Sequence, residues 1–390
     1  MKLTIPELAL VVLIGPDSPA RRKFMERNFR PDEVFEADLP ILEARLEAGR
    51  FTVVGGENAS VQDRAGFHTL CRRQYVEPVA ILFDLPARPG EDHRQLAARR
   101  QKALDREGFH RAFLIDSEAQ ATSAQVERAP LPARRPELSG PFDIIGDIHG
   151  CFDELQELLT WLGYLPARNE KGQEVLRHPA GRKAVFLGDL VDRGPCVVEV
   201  LRLVMAMCAE GSLCVPGNHD VKFVRKLQGH DVKVAHGLEL SLAQLNALPP
   251  GERQATQAAV IAFFESLPWH YLLDQGRLVV AHAGLKEPMH GRTGGRVKEF
   301  ALFGETTGET DDYGLPVRLN WAQSYEGKPL VVYGHTAIKE PAWLNNTVCV
   351  DTGCVFGGRL TALRYPEREV VQVKARRVHY PSRKPLGGPG

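Results

Sequence analysis

The chain lacks any cysteine pair at metal-finger spacing. Its seven cysteines, at 71, 151, 196, 208, 214, 349 and 354, form no CxxC, and most lie inside apolar runs. That pattern favours reduced, partly buried thiols over a disulfide framework. Long apolar runs are also missing. No stretch approaches the roughly 20 residues that cross a bilayer. The N-terminal MKLTIPELALVVLIGPD has one early positive charge and an apolar run of strand length, unlike a secretory signal. A cytoplasmic location with no membrane partner is the expectation. Net charge is absent too, because 49 Lys and Arg balance 49 Asp and Glu. Global attraction to nucleic acid or anionic lipid is therefore not implied. What is there is ordinary for a globular protein: 43% hydrophobic and 25% charged residues in 390, without repeats. That length suits two domains with at least one large core.

Apolar runs at 8–14, 51–54, 78–85 and 113–115 alternate with helical stretches from about 20 and over 94–107. They predict a small α/β domain over residues 1–117. Residues 118–140, rich in Ala, Pro, Glu, Arg and Ser, are expected to be a linker. A second domain is expected over 141–373. Its strands fall near 142–145, 184–187, 213–215, 278–281, 330–333, 347–350 and 360–364, and an apolar helix face is formed by Phe152, Leu155, Leu158, Leu159 and Leu162. Residues 374–390, with Arg376, Arg377, Arg383 and Lys384, are expected to be a basic flexible tail, with contact to RNA the alternative.

Five motifs punctuate the second domain: GDIHG (146–150), GDLVDRG (188–194), GNHD (217–220), AHAG (281–284) and YGHT (333–336). Each follows a strand-like run, and loops after strand C-termini are where α/β sheets place ligands. A single His or Asp in such a loop is usually a structural hydrogen-bonding residue, and His178, His230, His236, His270 and His290 are expected to be no more than that. The ordered set is different. Asp147, His149, Asp189, Asn218, His282 and His335 offer carboxylate, amide and imidazole donors without thiolate. This set suits divalent manganese, iron, nickel or zinc rather than a structural zinc cage. Two ions roughly 3.5–4 Å apart need a bridging carboxylate, for which Asp189 is the candidate, and they clamp a phosphoryl group while activating water.

These motifs resemble those of the calcineurin-like metallophosphoesterases, in the branch of the serine/threonine protein phosphatases and the diadenosine tetraphosphate hydrolases. The resemblance covers about 142–373. It implies a β-sandwich flanked by helices with the site at one end of the sheets. It implies that Asp147 and His149 hold one metal, that Asp189 bridges, and that Asn218, His282 and His335 hold the other. It also implies that Arg193 grips phosphate oxygens and that His219, oriented by Asp192, is the general acid. Arg318 is a candidate second substrate arginine.

Residues 333–367 are similar to the phosphatase module of bacterial polynucleotide kinase-phosphatases, and the residue at Asp351 is placed in that family's active site. Support of a metal-binding histidine is one role for Asp351; a turn before Thr352-Gly353 is the other. The N-terminal domain resembles the same family's P-loop kinase module, but with Ala20, Arg21 and Arg22 where the family has Gly, Lys and Ser. Pro16 and Pro19 also remove two N–H donors from a phosphate cradle. GGEN (55–58) stands in place of a DATN-like run. A degenerate kinase fold without phosphoryl transfer is expected. Arg21 and Arg22 are candidates to bind a phosphate or RNA end, against the plainer expectation of a solvated helix start.

The expected activity is a metal-dependent phosphoesterase acting on a phosphorylated substrate, with RNA or DNA ends or nucleotides foremost. A serine/threonine protein phosphatase or bis(5'-nucleosyl)-tetraphosphatase is the alternative. A regulatory binding module with a kinase-like domain is the alternative of another class. The residues carry no mark of oligomeric state.

Overall fold

The computed structural model describes every residue except 86–90, 110, 170–173, 383, 385 and 388–390. Arg383 of the expected tail thus lies outside the described residues. The chain divides into two compact units. One comprises residues 1–131 with 292–297, the other residues 132–291 with 298–390.

In chain order the first unit contains β1 (Lys2–Pro6), β2 (Ala9–Ile14), α1 (Pro19–Asn28), β3 (Val34–Phe35), α2 (Leu39–Glu47), β4 (Thr52–Val54), α3 (Val61–Arg73), β5 (Glu77–Phe83), α4 (Glu91–Glu107), β6 (Arg111–Ile115), α5 (Glu118–Ser123) and β7 (Gln125–Ala129). Five of these strands form a parallel sheet in the order β3-β4-β2-β5-β6. Strand β2 is central and both its faces are covered. Leu10, Val12 and Ile14 pack with Leu42, Phe67 and Leu104, whereas Val11 and Leu13 pack with Phe24 and Ala121. Burial on both faces is why this strand is an unbroken apolar run rather than an alternating one.

The linker expected at 118–140 is corrected here. Ser117 caps α5 through the Gln120 N–H at 3.4 Å. The Arg27 guanidinium donates to the carbonyl oxygens of Ala121 and Ala124 at 2.9 and 2.8 Å. Strand β7 then pairs with β1 from Lys2–Gln125 to Pro6–Ala129. Residues 118–131 belong to the first unit because β1 offers them a strand edge. Composition alone hid this, since β7 is polar and half exposed.

The second unit contains β8 (Arg134–Arg135), β9 (Phe142–Ile145), α6 (Phe152–Leu162), β10 (Leu165–Arg168), β11 (Glu174–Arg177), β12 (Lys183–Phe186), α7 (Val197–Ala209), β13 (Leu213–Cys214), α8 (Asn218–Leu227), α9 (Leu238–Asn246), α10 (Pro250–Ser266), β14 (His270–Leu273), β15 (Leu278–Ala281), α11 (Gly295–Phe303, whose first residues group with the first unit), β16 (Glu305–Thr310), β17 (Pro316–Leu319), β18 (Leu330–Tyr333), β19 (Ala342–Leu344), β20 (Thr347–Cys349), β21 (Arg359–Tyr365) and β22 (Glu369–Lys374). A five-stranded sheet, β13-β12-β9-β21-β22, faces a six-stranded one, β19-β20-β18-β15-β14-β8. The core between them holds Ile144, Val185, Leu187 and Leu363 against Leu278, Val280, Val332 and Val348. On the outer face of the first sheet, Leu155, Leu158, Leu159 and Leu162 of α6 pack against Ile145, Phe186 and Ala362. Their spacing of three and four residues makes the apolar stripe that seats this helix.

Strands β9, β12 and β13 run parallel in one sheet, and β15, β18 and β20 run parallel in the other. The five motif loops, and Asp351 after β20, therefore all leave strand C-termini.

The expected flexible tail is also corrected. The N–H groups of His379 and Tyr380 donate to the Val355 carbonyl oxygen at 3.0 and 2.9 Å. The Arg376 N–H donates to Glu154 at 3.0 Å, and His379 Nε2 lies 2.7 Å from the same carboxylate oxygen. Glu154 is 1% exposed, and this clasp supplies its partners.

Candidate functional site

The loops after β9, β12, β13, β15 and β18 converge. Asp189, 2% exposed, lies at the centre. One of its carboxylate oxygens is 3.4 Å from His149 Nε2 and the other is 3.5 Å from His282 Nε2. His282 Nε2 is in turn 3.1 Å from Asn218 Oδ1 and 3.0 Å from His335 Nδ1. Asp147 accepts the His335 backbone N–H at 3.1 Å. Two clusters of ligand-type atoms, His149–Asp189–His219 and Asp189–His282–His335, each gathered within 4.8 Å, thus share one carboxylate.

The loops reach this proximity by unusual backbone. His149, Asp189, Asp192, Arg193 and His335 have φ of 45°, 46°, 72°, 69° and 72°. Such left-handed conformations are uncommon outside glycine, and their clustering marks a functional site. Close approach also demands glycine. A Cβ on Gly217 would fall 2.1 Å from Asp189 Oδ1, and one on Gly334 would fall 2.1 Å from Asp147 Oδ1.

The donor set fits cations. His149 Nδ1 lies 2.7 Å from the Val191 carbonyl oxygen and His282 Nδ1 lies 2.9 Å from that of Leu187. Each carbonyl takes the ring proton, so each Nε2 presents its lone pair to the site. His282 Nε2 and Asn218 Oδ1 then face one another as two acceptors with no proton between them. His335 Nε2 is buried without a partner. Burial foremost holds His149, His282 and His335 below the ordinary imidazole range, keeping them neutral as ligands must be. Burial foremost, then the charges of Asp351 and Asp189, pushes Asp147 well up. Crowded buried carboxylates beside neutral imidazoles are the electrostatics of a site that is completed by positive ions.

A second group adjoins the first. The Arg193 guanidinium donates to His149 Nε2 at 2.6 Å and to His219 Nε2 at 2.7 Å, and lies over the Phe356 ring at 5.1 Å. His219 Nδ1 lies 2.6 Å from Asp192 Oδ2, and Asp192 accepts the Ser241 hydroxyl at 2.7 Å. Arg318 lies on β17 with Nη1 3.3 Å from Thr336 Oγ1, and the charges of Asp189, Asp351 and Asp147 all act on it. Asp351 is buried beside Asp147 but accepts the Gly353 N–H at 3.0 Å, as a turn residue does. Burial foremost, with Asp189 adding to it, raises its carboxyl to about 6.

Arg21 and Arg22 are not brought to any such group. Arg21 is 2% exposed, and its guanidinium donates to the Gly15 carbonyl oxygen at 2.6 Å and to that of Gly56. Arg22 pairs with Asp17 on the surface. Arg21 is therefore not the solvated helix start that was expected: both its Nη groups are taken by backbone oxygens of its own loop region, while Nε is buried without a partner among the described residues.

Some supporting residues escaped the sequence. Asp220 is fully buried and accepts the N–H groups of Leu190 and Gly217 at 2.9 and 2.8 Å, tying two motif loops together. Its place inside GNHD was the available signal. Ser241 and Gln244 lie on α9, far from any motif. Gln244 accepts the Val197 N–H at 2.6 Å and donates to the Gly194 carbonyl oxygen at 3.0 Å.

Residues 140–358 match the family model described as calcineurin-like phosphoesterase, which is more than half of the chain. The chain belongs to the calcineurin-like phosphoesterases. It is thus a metal-dependent phosphoesterase, and membership implies a binuclear divalent centre. Among its relatives is the bis(5'-nucleosyl)-tetraphosphatase PrpE [asymmetrical] of Anoxybacillus flavithermus. That protein is 46% identical over 233 residues, spanning 60% of this chain and 93% of the relative. The proteins of the same name from Bacillus velezensis and Bacillus subtilis are 48% and 47% identical, each over 60% of this chain and over 92% and 93% of their own lengths. These relatives carry the name weighed above as an alternative, rather than that of a nucleic-acid-end phosphatase. Among the described residues no helix is long and apolar enough to cross a membrane.

Proposed function

We propose that the second unit hydrolyses nucleoside polyphosphates, with dinucleoside tetraphosphates as the preferred class. The observation that carries the chemistry is the sharing of Asp189 between two donor groups. The names of relatives over 40% identical favour the substrate. Asp147, His149 and Asp189 would hold one ion, and Asp189, Asn218, His282 and His335 the other. Manganese is the first choice, ahead of iron, nickel or zinc. Ions bound there would neutralise phosphoryl charge and activate water for attack.

The protein's own groups do the rest. Arg193 transfers its two donors from the imidazoles to phosphoryl oxygens, in the forked geometry suited to guanidinium. His219 protonates the departing oxygen. Asp192 holds its Nδ1–H, and Ser241 holds Asp192, so the ring keeps one tautomer and one orientation. Arg318 faces the same charge from β17 and meets a further phosphoryl oxygen. The first unit, in this proposal, is a kinase-like fold without catalysis, since Arg21 fills the loop after β2. A second substrate, nucleic-acid ends, is favoured by the similarity of residues 333–367 to the polynucleotide enzymes.

The full chain, loaded separately with Mn²⁺, Fe²⁺, Ni²⁺ and Zn²⁺, should be assayed on diadenosine tetraphosphate, phosphorylated RNA ends, a phosphopeptide and p-nitrophenyl phosphate. The highest kcat/KM is expected on the tetraphosphate with Mn²⁺. Faster turnover of RNA ends would replace the substrate while keeping the chemistry. No turnover of any substrate would end the proposal.

A further inference from the structure

Beside the site, a cavity of about 340 Å³ opens between α9 and the segment that follows β22. Arg193 reaches it from the catalytic side, Leu240 and Gln244 line one wall, and Arg377 and Val378 line the other. Leu240 and Val378 are 38% and 62% exposed, so apolar area is left uncovered on facing walls. Arg377 forms no ion pair among the described residues, and its one contact is Nε at 3.5 Å from His379 Nδ1. A guanidinium with no ion pair among the described residues and the catalytic-side guanidinium thus share one small cavity with two apolar side chains.

The wall carrying Arg377 is held in place. Arg376 on one side and His379 on the other are both fastened to the Glu154 carboxylate. Arg376 also pairs with Asp153 at 2.6 Å, and the His379 N–H is bonded to the Val355 carbonyl oxygen at 3.0 Å. The opposite wall is equally fixed, since Gln244 is bonded to Gly194 and Val197. A preformed cavity of this size, lined about equally by polar and apolar surface and holding placed cations, suits a small anionic ligand.

We infer that this cavity is the subsite for the distal nucleotide of the substrate. It rests on the nucleoside-polyphosphate proposal above. The phosphate chain beyond the scissile bond runs across Arg193 to Arg377, and the nucleoside lies against Leu240 and Val378. Arg377 is a specificity residue that the motifs do not contain. A short phosphomonoester does not reach it.

The test compares kcat/KM for diadenosine tetraphosphate with kcat/KM for p-nitrophenyl phosphate, in the Mn²⁺-loaded full chain and in Arg377→Ala and Arg377→Lys. Circular dichroism serves as the folding control. In Arg377→Ala the ratio is expected to fall about tenfold, through KM rather than kcat, as the loss of one exposed phosphate contact would produce. Arg377→Lys should recover part of it. An unchanged ratio in Arg377→Ala overturns the subsite while leaving the function intact. Wild-type protein that hydrolyses p-nitrophenyl phosphate but not the tetraphosphate overturns the function, and the subsite with it.

Discussion

The two units use the same device and reach opposite ends. In each, parallel strands carry loops at their C-termini, where α/β proteins place ligands. In the second unit those loops present groups the protein does not satisfy: lone pairs facing lone pairs, a buried imidazole nitrogen without a partner, carboxylates crowded together. In the first unit the loop after β2 largely satisfies itself, with Arg21 Nε the buried exception. Arg21 turns back onto the carbonyl oxygens of Gly15 and Gly56, and Gly15 donates to Glu57 at 2.9 Å. A site is recognised by polar groups that the fold has positioned and left for something else to complete.

The contrast can be broken most forcefully at Asp189. Asp189→Asn removes the shared donor, so turnover should fall by about three orders of magnitude, roughly 4 kcal/mol of transition-state stabilisation. Metal analysis should show lost occupancy with an unchanged circular dichroism spectrum, and near-normal rates would refute the shared role.

Ser241→Ala tests whether the group beside the metals needs its support. It leaves Asp192 without the hydroxyl donor, and kcat should drop about tenfold while bound metal stays constant.

The opposite outcome is expected at Arg21. Arg21→Ala should leave phosphoesterase kcat/KM unchanged yet cost the first unit about 1–3 kcal/mol in denaturant unfolding, because two carbonyl groups lose their donor. The wild-type first unit should gain no thermal protection from ATP with Mg²⁺. Protection by ATP would show that its loop, too, is open to ligand.

Acid should separate the units more gently. His270 accepts the Gly291 N–H at 2.9 Å, and burial foremost, then His290, holds it near 3 rather than 6.5. The unfolded chain takes up that proton first, so second-unit stability falls as pH drops from about 6.5 towards 3. Glu33 behaves differently. Burial opposes its ionisation, but bonds from Arg128 and Arg30 outweigh burial and hold it near 2 rather than 4.5. First-unit stability from this group is complete above 4.5 and is lost as pH falls towards 2. All four tryptophans, Trp161, Trp269, Trp321 and Trp343, lie in the second unit. Their fluorescence should therefore change at higher pH than the last step in far-ultraviolet ellipticity. Coincident changes would remove the distinction.

Much of the second unit was legible, because its parallel strands are apolar runs ending in Gly with Asp, Asn or His. That signal placed all five loops and brought Asp147, His149, Asp189, Asn218, His282 and His335 to one region. The first unit's central strands were legible for the same reason. Strands with little apolar content were not. The polar hairpin β16–β17 carries Arg318 but shows no alternation, and β7 is held by its partner β1 rather than by its own residues. Ser241, Gln244 and Glu154 were illegible because their importance lies in what they touch across the fold.

The Glu154 clasp has a consequence for the integrity of the molecule. Helix α6 begins directly after the loop that carries His149, so one helix joins the metal donors to the C-terminal segment. A protease cutting after Lys374 would strand a charged carboxylate inside the core, and the debt of dehydration would fall on the helix that starts at the catalytic loop. The residues after the last strand thus complete the hydrogen bonding of the helix that starts at the catalytic loop.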